Sequence, residues 1–261
     1  MNIIVCLKVV KSELVSLSQQ HDSYAINPYD MYALKDVLRI KNNRDEAQVE
    51  CKISCLSMGA EKVEDCILRC VASGADEAVL LSDSRFAGAD TVATSYTLYK
   101  GINKIGVPSL IVCGHKSIDG ETGLIANGLA KRFNVPCVTN VERIEKLMED
   151  EVAVIVSDDN EEKVIKARLP IVLAYNNFTT EDLEISLLKL KNARRKGIVL
   201  YNLEDIEADE KKCGMLGSYT KVVGLNYDKM KKTNCKVIDG ELNDKVNNVM
   251  ELLNPLLNEM R

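Results

Sequence analysis

Apolar runs and segments of helical period alternate along the first half of the chain. Five segments are predicted to be strands: the apolar runs 3–7, 78–81 and 109–113, the segment 49–56, in which apolar residues alternate on one face, and a last strand that starts at 136–138. Helical spacing of apolar residues predicts four helices between them: residues 28–38, 63–73, 89–100 and 120–133. Strands separated by helices of this length favour a parallel sheet that is covered by helices on both faces.

The first of these helices has a distinct start. Asn27 suits the N-cap, Pro28 suits the first helical position, and Asp30 places an acid near the amino end. The apolar positions from Met31 onward then share one face, so this face is expected to be buried.

The pattern changes after about residue 140. Residues 142–156 and 163–168 are strand-like and flank a polar turn at 158–161, which predicts an antiparallel hairpin. From about residue 200 the chain is polar and irregular until a last predicted helix over 243–260. That stretch has too little apolar content to fold alone, and an arm of this kind implies a stable partner.

The sequence therefore predicts an α/β fold in two parts. Residues 1–200 would form a Rossmann-like parallel-sheet core with a hairpin, and residues 201–261 an extended C-terminal arm. No apolar run has the roughly 20 residues that a membrane-spanning helix needs, so no membrane insertion is expected.

Composition excludes further classes of function. The chain has 261 residues, and 34 basic against 39 acidic residues give a formal net charge of −5, so no nucleic-acid partner is expected. None of the nine cysteines forms a Cys-x-x-Cys pair and there are two histidines, which leaves few zinc ligands. The cysteines indicate small core residues in a reducing cytoplasm.

A glycine-rich loop is the first candidate site. Ligands of parallel sheets bind at the carboxyl ends of the strands, and this loop connects such an end to a helix. Its glycines and hydroxyl side chains offer donors for a pyrophosphate. The residues alone favour an ordinary turn, since such loops are common, and the two acids of the loop add charge of the same sign as phosphate. Its residues are Gly114, His115, Lys116, Ser117, Ile118, Asp119, Gly120, Glu121, Thr122 and Gly123.

A second candidate follows the strand at 78–81. Thr91, Thr94 and Ser95 lie within about one helical turn, so their hydroxyl groups are able to cluster toward a ligand. The residues alone favour a plainer interpretation, a helix start followed by tolerated threonines. Neither Gly-x-Gly-x-x-Gly nor a Walker A motif occurs, and no nucleophile–base pair indicates a self-contained enzyme.

Several motifs occur together in one order and resemble those of electron transfer flavoprotein beta subunits across essentially the whole chain. They are Asn27-Pro28-Tyr29-Asp30, Leu56-Ser57-Met58-Gly59, Gly74-Ala75-Asp76, Gly88-Ala89-Asp90-Thr91, Cys113-Gly114-x-x-Ser117-Ile118-Asp119-Gly120-x-Thr122, Arg168-Leu169-Pro170 and Cys213-Gly214-x-x-Gly217-Ser218-x-Thr220.

This resemblance implies an adenine-nucleotide-binding core and an arm that embraces an alpha subunit, which carries its own FAD, in a heterodimer. The chain would be an electron-carrier subunit that oxidises NADH only within a flavoprotein complex. By position, the nucleotide would contact Cys6, Asn27, Pro28, Tyr29, Asp30, Met58 and the loop from Gly114 through Leu124 to Ile125.

Two subtypes of this family differ in the beta-subunit ligand. One holds AMP and shuttles electrons from acyl-CoA dehydrogenases; the other holds FAD, accepts hydride from NADH and bifurcates electrons. The motifs at 88–95, 119–122 and 217–220 resemble the bifurcating subtype, which adds Thr91, Thr94 and Ser95 to the cofactor set and favours FAD over AMP. Leu124 stands where the family usually has glutamine. A non-redox adenine-nucleotide-binding regulatory protein is the alternative from another class.

Residues 186–196 resemble the segment by which the family docks on acyl-CoA dehydrogenase-type flavoenzymes. Leu187 would be the apolar anchor, with Leu188 in place of the usual proline. An ordinary residue of an amphipathic helix is an equal interpretation of Leu187.

Overall fold

The structure, a computed structural model, describes residues 1–15, 24–43, 45–47, 49–158, 161–221, 224 and 237–259. The chain divides into two compact units, residues 1–221 and residues 222–261. In the second unit the described residues include one long helix, which contains Pro255. No described helix is both long enough and apolar enough to cross a membrane.

Eleven strands and six α-helices are described. The strands are β1 (Asn2–Leu7), β2 (Val9–Lys11), β3 (Tyr24–Ile26), β4 (Lys52–Met58), β5 (Glu77–Leu81), β6 (Leu110–Gly114), β7 (Cys137–Leu147), β8 (Glu151–Asp158), β9 (Glu161–Arg168), β10 (Ile171–Tyr175) and β11 (Val199–Tyr201). The helices are α1 (Pro28–Asn42), α2 (Glu64–Ser73), α3 (Thr91–Ile105), α4 (Ile125–Phe133), α5 (Leu187–Lys196) and α6 (Leu242–Glu259).

Nine strands form one sheet in the order β11-β5-β4-β1-β6-β10-β7-β8-β9, and β2 pairs with β3 apart from it. All pairs from β11 to β7 are parallel, whereas β8 and β9 add antiparallel strands. The chain runs from β1 to β4 and β5 on one side and then returns to β6 on the other. The strand order therefore reverses between β1 and β6, where open parallel sheets place their ligands.

Both faces of the sheet are covered, which confirms the predicted α/β core. Ile3 and Val5 of β1 belong to the cluster that packs with α1 and α2, and Ile4 and Cys6 belong to the cluster that packs with α3 and α4. Because β1 is buried on both faces, it reads as a continuous apolar run rather than an alternating one.

The predicted hairpin is a three-stranded meander. Residues 142–156 are not one strand, because the chain turns after Leu147 and β8 starts at Glu151, with the N–H of Met148 donating to the carbonyl of Glu151. The turn predicted at 158–161 includes residues 159–160, which lie outside the described residues. The apolar segment 171–175, which the sequence did not mark as a strand, becomes β10 and lies between β6 and β7.

Helix α4 starts later than predicted. The apolar pattern placed its beginning at residue 120, but its first residue is Ile125. Glu121 and Gly123 have φ angles of 52° and 64°, and this left-handed conformation cannot continue a right-handed helix. The loop after β6 is therefore longer and more open than the sequence pattern indicated.

The stretch after residue 200 begins against the core. β11 extends the sheet beside β5, and Leu203, Ile206 and Cys213 are buried in the cluster under α3 and α4. Residues up to 221 belong to the first compact unit. The role of residues 201–261 as an arm around a partner stays a prediction.

Candidate functional site

Asp30 joins the ends of β1 and β6. Its Oδ2 accepts the N–H of Lys8 at 2.8 Å and its Oδ1 accepts the N–H of Gly114 at 2.9 Å. Burial raises the pKa of Asp30 to about 6, although the hydrogen bonds it accepts oppose that rise. The carboxyl group thus ties together the two strands at which the strand order reverses.

Asn27 holds the glycine loop. Its side chain is 1% exposed; Nδ2 donates to the carbonyl of Lys116 at 2.9 Å and Oδ1 accepts the N–H of Ile118 at 3.1 Å. Asn27 occupies the N-cap position of α1 as predicted, but its side chain makes no capping hydrogen bond. Its amide group instead fixes the position of the loop over the strand ends.

Two lysines offset the acidic side chains of the loop. Lys8 Nζ lies 2.7 Å from Asp119 Oδ1 and donates to Ser117 Oγ at 3.3 Å, while Lys116 Nζ lies 3.6 Å from Glu121 Oε1. Burial acts to raise the pKa of Asp119, but hydrogen bonds from Lys8 and Ser117 hold it below its ordinary value. The like charge that argued against a phosphate is therefore already paired within the protein.

Backbone donors line the end of the loop. Within the described part of the chain, the N–H groups of Gly120, Thr122 and Gly123 have no hydrogen-bond partner. α4 starts two residues later, and its first turn adds N–H groups that no helical carbonyl accepts. With the ammonium groups of Lys8 and Lys116, these donors suit a phosphate or pyrophosphate.

An aromatic group borders the same loop. The ring of His115 lies 6.5 Å from that of Tyr29, centroid to centroid, and Tyr29 lies 5.6 Å from Phe178. The N–H of His115 donates to the carbonyl of Tyr175, and the carbonyl of the buried Pro28 accepts the N–H of Thr179. Phe178 had no signature in the sequence, because it belongs to a loop that contributes no motif.

Cys6 and Met58 lie at the same edge of the sheet but are less exposed than the end of the glycine loop. Cys6 is buried beside Cys113, and its hydrogen bond together with burial raises the pKa of the Cys113 thiol. Met58 ends β4 and packs partly buried against the α3 side. Next to it, the buried Ser57 Oγ has no partner among the described residues, a state that proteins seldom leave uncompensated.

The hydroxyl cluster on α3 is largely used within the protein. Ser95 Oγ donates to the carbonyl of Val92 and accepts from Arg132 Nε at 3.2 Å, and a Cβ on Gly128 of α4 would come within 2.8 Å of Ser95. Ser95 therefore serves the packing of α3 against α4. Thr91 and Thr94 lie half-buried in the first turn of α3.

Asp90 connects two motifs that are far apart in sequence. Its Oδ1 accepts the N–H groups of Val92 and Ala93 and so caps α3, while Oδ2 accepts those of Tyr219 and Thr220 at 2.8 and 3.1 Å. Burial acts to raise the pKa of Asp90, but these hydrogen bonds hold it below its ordinary value. The motifs at 88–91 and 217–220 thus form one junction, which their separate positions in the sequence did not reveal.

Three predicted contact residues lie at the start of helices. Leu124 occupies the N-cap position of α4 and is 53% exposed, and Ile125 follows it half-buried. Leu187, the predicted docking residue, begins α5 and is 86% exposed. The structure brings the loop, Asn27, Asp30 and Lys8 together, whereas Leu187 lies on a different element.

Known proteins resemble this chain over most of its length. A family model described as the electron transfer flavoprotein domain matches residues 15–186. The chain is 30% identical over 249 residues to a Clostridium acetobutylicum protein named electron transfer flavoprotein subunit beta. The aligned residues cover 92% of this chain and 90% of that protein.

Two further relatives carry other names. The caffeyl-CoA reductase-Etf complex subunit CarD of Acetobacterium woodii is 35% identical over 198 residues, which are 76% of this chain and 73% of that protein. Protein FixA of Azorhizobium caulinodans is 30% identical over 237 residues, which are 85% of this chain and 83% of that protein.

Proposed function

Because the chain belongs to the electron transfer flavoprotein family, we propose that it is a beta subunit which holds a flavin or adenine nucleotide at the carboxyl edge of its sheet. The role of this family is electron transfer, and its beta subunits work with an alpha subunit. The ligand would lie between the ends of β1, β4 and β6, in contact with the glycine loop.

One observation carries the assignment of the site. Asn27 and Asp30 hold the glycine loop by hydrogen bonds to its backbone, and the ammonium group of Lys8 contacts the same loop, whose N–H groups at Gly120, Thr122 and Gly123 have no partner among the described residues. Such donors are well matched to a pyrophosphate, which both FAD and ADP contain and which AMP replaces with a single phosphate.

We favour FAD as the ligand and NADH as its electron donor. A flavin would supply the hydride and single-electron chemistry, and the protein would orient it and set its electrostatic surroundings. The junction of the motifs at 88–91 and 217–220 supports this choice, because both motifs resemble the bifurcating subtype. AMP is the alternative ligand, and the exposed Leu124, which offers no hydrogen bond to a flavin, is the observation that favours it.

The electron-transfer partner is proposed to be an acyl-CoA dehydrogenase-type flavoenzyme. The name of CarD places that relative in a complex with caffeyl-CoA reductase, an enzyme of an acyl-CoA thioester. Leu187 supports a docking role for α5, because Leu187 and Leu188 are both exposed at the start of this helix and offer apolar surface to a partner.

Released nucleotides would test the proposal. The chain is co-expressed with its alpha subunit, the complex is denatured, and FAD, AMP and ATP are quantified by chromatography. About two FAD per heterodimer without AMP is the expected result, with NADH bleaching of the flavin as the next measurement. FAD and AMP in equal amounts would establish the shuttle instead, and ATP on this chain without any alpha subunit would support the non-redox regulator.

A further inference from the structure

Lys8 is a cation at the reversal point of the sheet that the sequence did not single out. It follows β1 directly, and its Nζ reaches across to the loop after β6, where it contacts Asp119 and Ser117. A Cβ built on Gly120 would lie 3.8 Å from this Nζ and 3.3 Å from Ser117 Oγ. The ammonium group therefore lies beside Gly120, a residue whose N–H has no partner among the described residues.

Asp119 occupies the place that an anion would take beside this lysine. Its carboxylate supplies the oxygen that Lys8 binds, although the surrounding groups are donors: a hydroxyl, an ammonium and free backbone N–H groups. The Lys8 and Asp119 side chains are 48% and 34% exposed, so water screens their ion pair and the pair is weak. A ligand phosphate that brings two negative oxygens to the same donors competes with it effectively.

We propose that Lys8 exchanges Asp119 for a phosphate of the incoming nucleotide, so that Lys8 selects phosphorylated ligands and Asp119 acts as the built-in competitor. The inference rests on the proposed nucleotide site and adds to it which residues set its selectivity. Lys8 bound to Asp119 neutralises the loop before binding, and the released carboxylate turns to solvent when the phosphate arrives. The hydroxyl group of Ser117 rotates freely, so Ser117 donates a hydrogen bond to Asp119 before the exchange and to the phosphate after it.

Binding measurements on matched variants test the exchange. The full-length chain in complex with its alpha subunit is depleted of nucleotide and titrated with ADP, AMP and adenosine by calorimetry. Asp119→Asn removes the competitor and is expected to tighten ADP and AMP binding about fivefold, and Lys8→Met to weaken both by about tenfold or more. Adenosine, which has no phosphate, is expected to bind all variants alike.

The double variant separates exchange from a general effect of charge. In the Lys8→Met background, Asp119→Asn is expected to change ADP affinity by less than about twofold, because the two residues act through one contact. A gain of the same size in both backgrounds would overturn the exchange, as would an Asp119→Asn protein whose ADP affinity is unchanged or lower.

A second ion pair offers a control with the same change in charge. Lys52 and Glu77 lie 2.8 Å apart with side chains 51% and 27% exposed, at the amino ends of β4 and β5. Glu77→Gln is expected to leave ADP affinity within about twofold, since this pair lies at the opposite end of the strands. A gain equal to that of Asp119→Asn would overturn the proposal. A wild-type complex that binds none of ADP, AMP and FAD would overturn the nucleotide site itself, which is a distinguishable result.

Discussion

The backbone N–H of Gly114 donates to the carboxylate of Asp30 at 2.9 Å, across 84 residues of sequence. This contact leaves no room for a side chain at residue 114, where a Cβ would lie 2.4 Å from Asp30 Oδ1 and 2.6 Å from Tyr29 Cβ. Glycine is therefore required here by close approach, and the start of α1 is placed against the end of β6.

Gly114→Ala is expected to lower the free energy of unfolding by about 2 kcal/mol, because the added methyl group must push α1 away from β6. Urea unfolding followed by circular dichroism measures the change. Gly59→Ala is the control, since its Cβ would meet only Val63 Cγ2 at an ordinary 3.4 Å. Equal losses in the two variants would contradict the close contact.

Asp30→Asn is expected to alter how stability depends on pH. Because the pKa of Asp30 is raised to about 6 in the fold, the folded chain binds this proton more tightly than the unfolded chain. The Asp30 contribution is thus fully present below an unfolded pKa of about 4 and is lost as pH rises through about 6, at up to about 1.4 kcal/mol per pH unit.

Urea unfolding of both proteins from about pH 4 to about pH 7 measures this contribution as the wild type minus Asp30→Asn difference. The difference should decrease with rising pH and level off above the folded pKa. Carboxylates with lowered pKa values, such as Asp90 and Asp119, occur in both proteins and cancel. A difference that grows with pH would mean that burial does not set the pKa of Asp30.

Asp90→Ala is expected to release residues 219–220 and to cost about 1 kcal/mol or more of stability through the lost cap. Amide hydrogen exchange at Tyr219 and Thr220 should become faster, since Asp90 Oδ2 accepts both N–H groups. Thr220→Val is the control, because it removes only the weaker hydroxyl contact at 3.3 Å. Unchanged protection in Asp90→Ala would show that other contacts hold the segment.

Leu124→Gln is expected to raise the FAD retained by the purified heterodimer about threefold relative to AMP, because a glutamine amide donates a hydrogen bond that leucine lacks. Leu124 is exposed at the start of α4, so the change should not affect stability. Leu124→Met is the control of similar size without a donor. The same FAD to AMP ratio in all three proteins would remove Leu124 from the set of ligand contacts.

Leu187→Ala is expected to slow electron transfer with an acyl-CoA dehydrogenase-type partner about tenfold, as the loss of an apolar interface anchor does. Unfolding should be unaffected, since Leu187 is 86% exposed. Leu188→Ala, at a neighbouring leucine that is 68% exposed, tests whether the effect is specific. Steady-state flavin reduction by the partner measures the rate, and equal rates in all three proteins would leave α5 without a docking role.

Local patterns predicted the core strands and helices because each of these elements buries its own apolar residues. Ile3 to Leu7 and the face of α1 from Met31 are examples, and both are buried. The break between β7 and β8 was missed because apolar residues continue on both sides of a three-residue turn. The place of β10 between β6 and β7 is a property of the whole sheet, which no local pattern encodes.

The candidate site was predicted in outline through its glycine loop and its family resemblance. The contacts that organise the site were not predicted, because they join residues that are distant in sequence. These contacts join Asn27 with the loop, Asp30 with Gly114, and Lys8 with Asp119. Lys8 had no signal beyond its place after a strand. A polar residue at the carboxyl end of a central strand is therefore worth testing against every loop at that edge.

The position of β10 determines when the central sheet can form during synthesis. β6 and β7 both leave the ribosome before β10, yet they do not pair with each other, because β10 occupies the place between them. Until Tyr175 emerges, each of these strands keeps an unpaired edge, a state that favours aggregation. A truncated chain must therefore extend beyond residue 175 before its central sheet can form all of its strand pairs.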